Sequence, residues 1–337
     1  MSRLLRGLIV LAAAIAALIF AWPQAFGLQL APVIGQAVAL RAIGMLLALG
    51  LVLVLGVLRF LPGLRKLSGG IACVLVVFAV ANGGILAWRG LSGKALTPSA
   101  TSITVLEWNT KAAVSAETIA KLALEYHADI VALPETTNDL GEQIALQMKA
   151  GGSPMWSNTV SFDDVYQAHS TTVLLSPELG DYTVTSYSGS GPPLNTNTVP
   201  TVVAKPVTGS GPVIVAVHAV SPRQGQMGNW RSDLKWLASQ CESDDVIMAG
   251  DFNSTIDNMA GLGTGGGNLG RCVDAGAAAS GAAIGTWPTN IPSYLGAPID
   301  HVLTTRNYRV TGFTVPSGYD SMGSAHRPVV VQLERND

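Results

Sequence analysis

Apolar residues follow two regimes along this chain. Before residue 95 they run almost unbroken, and after it they come in short bursts that end on polar residues. Three long apolar stretches fill the front, about Leu4–Trp22, Ala42–Leu58 and Gly70–Trp88. Each approaches the ~20 residues that a bilayer-spanning helix needs, the middle one being the shortest. Three near-uncharged runs in succession predict transmembrane helices in preference to buried core helices. Arg3 and Arg6 precede the first run as they would in a signal peptide. No clear small-x-small cleavage site follows before Pro23, so the pattern predicts a retained helix.

Leu91–Ser102 is rich in Gly, Ser, Thr and Pro and is expected to be a short linker, bounded at 95–102. Beyond it the periodicity alternates between strand and helix. Strands are predicted at Ile103–Trp108, Asp129–Leu133, Ser170–Ser176, Val199–Pro206 and Pro212–Val217, and at Val246 onward. Three more follow at Ile299–Thr304, Tyr308–Val315 and Val329–Leu333. Ala116–Tyr126 has helical spacing, with Ile119, Leu122, Ala123 and Tyr126 on one face and Ser115 as N-cap. Trp230–Ser239 is a second helix, and the glycine-dense Gly261–Gly270 reads as a surface loop. Such mixing implies an α/β sandwich.

Charge sharpens the division. Charged residues make up 12% of the chain, against a globular norm of about 25%. Residues 1–94 hold no Asp or Glu and eight of the 20 Lys and Arg, so the remainder carries 12 − 22 = −10. Arg3, Arg6, Arg59, Arg65 and Lys66 place the N-terminus and the 59–69 loop in the cytoplasm by the positive-inside rule. The C-terminal part then faces outward, with Arg89 and Lys94 on the unexpected side. Arg41 is expected to snorkel at the membrane interface, and the helices to serve as an anchor. If the C-terminal part is outside, a Cys241–Cys272 disulfide is chemically allowed, with two unpaired thiols as the alternative.

The candidate chemistry lies where apolar strands end. Val246-Ile-Met-Ala-Gly-Asp-Phe-Asn253 delivers a carboxylate and an amide to a strand tip. Val105-Leu-Glu-Trp-Asn109, Ile130-Val-Ala-Leu-Pro-Glu135 and Ile214-Val-Ala-Val-His218 do the same, and Pro298-Ile-Asp-His301 and Gly323-Ser-Ala-His-Arg-Pro328 follow. These residue types suit an oxygen-ligated divalent cation beside an acid/base pair. Glu135, held rigid after Pro134, is the best metal ligand, and its carboxylate with water suits Mg²⁺ or Mn²⁺. Asn109 is placed to orient Glu135, share the metal or donate to a phosphoryl oxygen. His218 and His326 titrate near neutrality, and Asp300 is placed to fix the tautomer of one of them. His301, on the opposite strand face, is expected to be structural, and His127 and His169 ordinary polar positions.

Six such motifs, in this order over about residues 101 to 333, resemble the endonuclease/exonuclease/phosphatase (DNase-I-like) superfamily. The resemblance implies a four-layer sandwich of two packed β-sheets flanked by helices, making 103–337 a catalytic domain behind the three transmembrane helices. It also implies roles. Glu135 binds metal, Asp251 and Asn253 position the attacking water and contact the phosphate, and His326 acts as base. His218 acts as acid or oxyanion stabiliser, and with Asn109 and Asn253 contacts the phosphate. Thr286-Trp287-Pro288 is expected to shape the rim. One departure stands out: the family usually has Ser-Asp-His where this chain has Ser324-Ala325-His326.

The expected activity is therefore that of a membrane-anchored, divalent-metal-dependent, nuclease-like phosphoesterase of the cell membrane, its catalytic domain extracytoplasmic. Its substrate is a phosphodiester or phosphomonoester, with nucleic acid ahead of phospholipid. A lipid head-group phosphodiesterase or phosphatase is the first alternative. A catalytically impaired binding module, suggested by Ala325, is the second. The acidic C-terminal part lacks the cation cluster on which nonspecific DNA binding relies, although Arg223, Arg231 and Arg327 offer a small phosphate pocket.

Overall fold

The computed structural model describes residues 2–61, 63–99, 101–163, 165–184 and 195–336. The apolar front forms α1 (Arg3–Ala21), the short α2 (Ile34–Ala39), α3 (Arg41–Leu58) and α4 (Arg65–Arg89). The three long helices are each long and apolar enough to cross a membrane. Ser2 caps α1, its hydroxyl accepting from the Leu5 amide at 3.2 Å.

Next come β1 (Ser102–Glu107), α5 (Ala116–Glu125), β2 (Ile130–Pro134), α6 (Asn138–Ala150), β3 (Trp156–Ser161) and β4 (Ser170–Leu175). Then follow β5 (Tyr182–Val184), β6 (Val202–Pro206), β7 (Val213–His218), α7 (Met227–Gln240), β8 (Val246–Asp251) and α8 (Ile256–Met259). The chain ends with β9 (Val273–Asp274), α9 (Ala275–Ala278), β10 (Asp300–Thr304), β11 (Tyr308–Thr314) and β12 (Val329–Arg335). Two six-stranded sheets result, ordered β11-β12-β1-β2-β4-β3 and β5-β6-β7-β8-β10-β9. Each contains one parallel pair, β1 with β2 and β7 with β8, and is otherwise antiparallel.

Strand alternation builds the layers. Val105, Ile130, Ala132, Val173 and Leu175 face Val202, Ile214, Ala216, Ile247 and Val302 across the central interface. The opposite face of the first sheet, Leu106, Val131, Leu133 and Leu174, packs on Ile119, Leu122, Ile144 and Met148 of α5 and α6. On the second sheet, Val215, Val217 and Met248 pack beneath Leu237 of α7. The chain is thus the expected four-layer α/β sandwich. Element α6 was not anticipated, although Leu140, Ile144 and Met148 have helical spacing. Neither was β3, an edge strand whose sequence Trp-Ser-Asn-Thr-Val-Ser is mostly polar.

Two expectations are corrected. Arg41 does not snorkel. It is 5% exposed, and its guanidinium grips Asp257 of α8 through Nε–Oδ2 at 2.8 Å and Nη2–Oδ1 at 2.7 Å. Its Nη1 donates to the carbonyl of Ala21 and to Oδ1 of Asn82 at 2.9 and 2.7 Å. Arg89 grips the same carboxylate with two bonds of 2.7 Å. Nor does the stretch after α4 space the halves apart. Gly93 donates to Ser280, Lys94 bridges Phe313, and the Thr97 amide donates to Gln332 at 2.6 Å. The connection between α1 and α3 docks as well: Asn258 donates to the carbonyls of Gln29 and Gly35 at 3.0 and 3.1 Å.

Burial alone would raise the Asp257 carboxyl, but hydrogen bonds from Arg41 and Arg89 outweigh it and hold it well below the ordinary carboxylate range. A depressed acid contributes stability above its unfolded value and loses it as pH falls towards the folded one. Asp257→Ala leaves a buried guanidinium unpaired and should cost about 3–5 kcal/mol. Thermal unfolding of the full chain in detergent checks this. The wild-type advantage over the variant should hold at neutral pH and shrink only below the ordinary carboxylate range.

Candidate active site

Parallel pairing puts the functional tips at one end. In β7 and β8 the register sets His218 beside Asp251, and in β1 and β2 it sets Glu107 beside Ala132, so Asn109 and Glu135 emerge together. Strand β10 runs antiparallel to β8 and begins at Asp300, opposite Asp251. Strand β12 runs antiparallel to β1 and starts opposite Glu107, which brings the preceding Ser324–Pro328 to the same end.

The side chains converge there. The Asn109 amide donates to Glu135 at 3.1 Å and to Asp251 at 3.0 Å, while its Oδ1 accepts from the Lys111 amide. Asp251 accepts two further bonds from Asn253, through its backbone N–H at 2.8 Å and its Nδ2 at 3.0 Å, and that Nδ2 also donates to the Ala219 carbonyl. His326 presents Nδ1 to both Asp300 oxygens at 2.9 Å and Nε2 towards Asp251 at 3.9 Å. His218 Nε2 lies 3.9 Å from Glu135. The supports are local. Thr286 Oγ1 accepts from the amides of Ile299 and Asp300, Ser324 Oγ donates to the Asn109 carbonyl, and Trp108 Nε1 donates to the His326 carbonyl.

Backbone strain marks the same residues. Glu135 and Asn253 hold φ of 54° and 47°, in the left-handed region that L-residues enter at a cost. Gly250 has φ 145°, and a Cβ there would lie 2.1 Å from the Val217 carbonyl oxygen. Only glycine lets β8 pass β7 so closely. Gly250→Ala should therefore cost roughly 1–3 kcal/mol, read as a lower melting temperature of the full chain.

Electrostatics separates the two histidines. Burial lowers His218 to about 4 despite Glu135, so it is a neutral imidazole and its contact with Glu135 is no ion pair. Burial opposes the charge on His326 too, but Asp300 and Asp251 prevail and push it up to about 9. Asp251 is raised to about 7 by burial and by Asp300, against the pull of His326 and its amide donors. Beneath them lies Glu107, a residue the sequence did not single out. It is fully buried, neither carboxylate oxygen has a hydrogen-bond partner among the described residues, and burial with Asp300 and Asp251 raises it well above its ordinary value. Its signal was a carboxylate on the same strand face as Asn109.

Asp251, Asp300 and His326 each offer a ligand atom, all within 4.8 Å of one another. Glu135, its side chain 22% exposed, opens on the other side of Asn109. Two carboxylates and an imidazole gathered this closely, with the Glu135 carboxylate beside them, form a donor set that a hard divalent cation fits. Other polar residues fall outside the cluster. His301 Nε2 donates to the Ser254 carbonyl at 2.8 Å and its Nδ1 meets Asp274 at 2.7 Å, and although burial lowers it, Asp274 raises it above its ordinary value. His169 pairs with Asp163. Arg327 is spent on backbone carbonyls and on Asp320, and Arg231 on the Met227 carbonyl. No three-arginine phosphate pocket forms.

A two-sheet sandwich with carboxylates, carboxamides and imidazoles gathered at one end defines the DNase-I-like class. The chain belongs to the endonuclease/exonuclease/phosphatase family, whose model matches residues 106–326. Solved structures agree on the fold. An endonuclease/exonuclease/phosphatase from Beutenbergia cavernae superposes with TM-score 0.52 at 17% identity, covering 70% of this chain and 72% of that one. A family protein from Bacteroides thetaiotaomicron gives 0.51 at 15%, covering 70% and 96%. Humanized D. rerio TDP2 gives 0.52 at 13%, covering 70% and 100%. No curated protein matches this chain.

Proposed function

We propose that this chain is a membrane-anchored, divalent-metal-dependent phosphoesterase that cleaves phosphodiester bonds by attack of water. The observation that carries this reading is the Asp300–His326–Asp251 arrangement, tied through Asn109 to Glu135. Asp300 fixes the His326 tautomer with Nε2 facing the reaction centre, where it serves as base beside Asp251. The water oxygen bonds to phosphorus as its proton passes to this pair. The bond from phosphorus to the leaving oxygen breaks, and that oxygen takes up a proton from bulk water. His218, neutral through burial, donates a hydrogen bond to a phosphoryl oxygen, and Asn253 holds Asp251 in place. A divalent cation, Mg²⁺ or Mn²⁺, held by Glu135 and the neighbouring carboxylates, would neutralise phosphate charge and relieve the field that keeps His326 protonated.

Ala325 leaves no carboxylate at its position, and Asp320 does not substitute, being paired with Arg327 at 2.8 Å. The remaining constellation favours hydrolysis over a binding-only role. The test uses the full chain with Mg²⁺ or Mn²⁺ and a panel of bis(p-nitrophenyl) phosphate, DNA, RNA and phospholipids. His326→Ala and Asp251→Ala should each lower kcat by about 10²–10⁴-fold, Glu135→Ala and chelation should abolish turnover, and Ala325→Asp should not be required for it. Turnover of none by a folded wild type would sink the reading.

We further place the catalytic domain outside the cytoplasm. Cys241 and Cys272 are joined as a disulfide with Cα atoms 5.7 Å apart, a bond that persists in oxidising compartments. Protein isolated from its native membrane should show these two cysteines blocked to alkylation until reductant is added. Cys272→Ser should lose about 3 kcal/mol of stability.

A further inference from the structure

A groove of about 250 Å³ separates the N-terminal helices from the catalytic end of the sandwich. Gly35, Ala39 and Leu40 line one side, and Pro222, Trp287 and Ile299 the other. Asn253, whose amide holds Asp251 at 3.0 Å, belongs to the same lining. An apolar cleft therefore begins one side chain away from the proposed reaction centre. Gln36 spans it by donating to the Pro222 carbonyl at 2.6 Å, and its Oε1 is buried without a partner among the described residues.

We infer that this groove receives the apolar chain of an amphiphilic phosphoester drawn from the surrounding bilayer, with the phosphate at His218. The inference rests on the phosphoesterase reading and names its substrate class. Three observations favour this occupant. The lining is apolar except for Asn253, Asn258, Gln36, Ser221 and the exposed Arg223, whereas a nucleic-acid track needs many cations. Leu40 immediately precedes α3, a helix long and apolar enough to cross a membrane. A chain leaving the groove there stays against apolar surface. The volume also falls below the ~300–1,000 Å³ of a pocket that encloses a whole small ligand, so the groove suits a segment of a longer chain. The unpartnered Gln36 oxygen matches a hydroxyl or amide donor near the head group.

Two chromogenic phosphodiesters with the same reacting head test this: ethyl and dodecyl p-nitrophenyl phosphate, given to the full chain at fixed detergent concentration. Burial of each methylene strengthens binding up to about fourfold, so kcat/KM for the dodecyl ester should exceed that for the ethyl ester at least tenfold. Ala39→Trp, which fills the groove, should bring the ratio near one by lowering dodecyl-ester kcat/KM. Ala37→Trp, on the exposed side of α2, should preserve the ratio. Binding of dodecylphosphonate, followed by ³¹P NMR, gives a readout without an ester to cleave. Ethyl-ester turnover with no chain preference, or a preference that Ala39→Trp leaves intact, overturns the groove and spares the phosphoesterase. Phosphonate binding that Ala39→Trp removes, with neither ester cleaved, upholds the groove and overturns the phosphoesterase. Neither turnover nor binding overturns both.

Discussion

Ninety-four residues without one carboxylate cannot neutralise the guanidinium that their own packing buries. Arg41 sits where the ends of α1, α3 and α4 meet, and the carboxylate it grips is Asp257, supplied by the other half of the molecule. Arg89 converges on the same group. Removing that acid strands two cations, which is why the helices and the sandwich form one unit rather than an enzyme on a tether. The clamp also has a position. Asp257 follows Asn253 by one turn of chain, so the interaction that joins the halves also braces the loop that holds Asp251.

A second constraint is topological. One parallel pair in each sheet sends the C-terminal tips of β1, β2, β7 and β8 to a common end, and antiparallel β10 and β12 return their starts to it. Six dispersed motifs thereby become one site. Strained backbone at Glu135 and Asn253 and the close passage at Gly250 are tolerated because the sheets beneath are densely packed.

Much of this was legible in the sequence, and the reason is local. A carboxylate, amide or imidazole directly after an apolar run, as at Asn109, Glu135, His218 and Asp251, declares itself within a few residues. Strand boundaries were legible to within a residue or two for β1, β2, β4 and β8, since burial imposes them. Long-range pairings were not legible. Nothing within reach of Arg41 in the chain points to a partner 216 positions away, so hydropathy alone assigns it to an interface. Glu107 was masked by its own strand, where a polar residue inside an apolar run reads as the outward face of an alternation. Helix α6 carried its signal in three residues among many polar ones, and β3 is too polar to stand out.

The shared carboxylate also sets an order of events during synthesis. Asp257 is made 168 residues after Arg89, which at 5–20 residues per second is an interval of about 10–30 s. Throughout it Arg41 and Arg89 lack their shared carboxylate, and Arg41 has only the Ala21 carbonyl and Asn82 to meet it. A chain that stops before Asp257 therefore leaves both guanidinium groups without the carboxylate that joins the two halves.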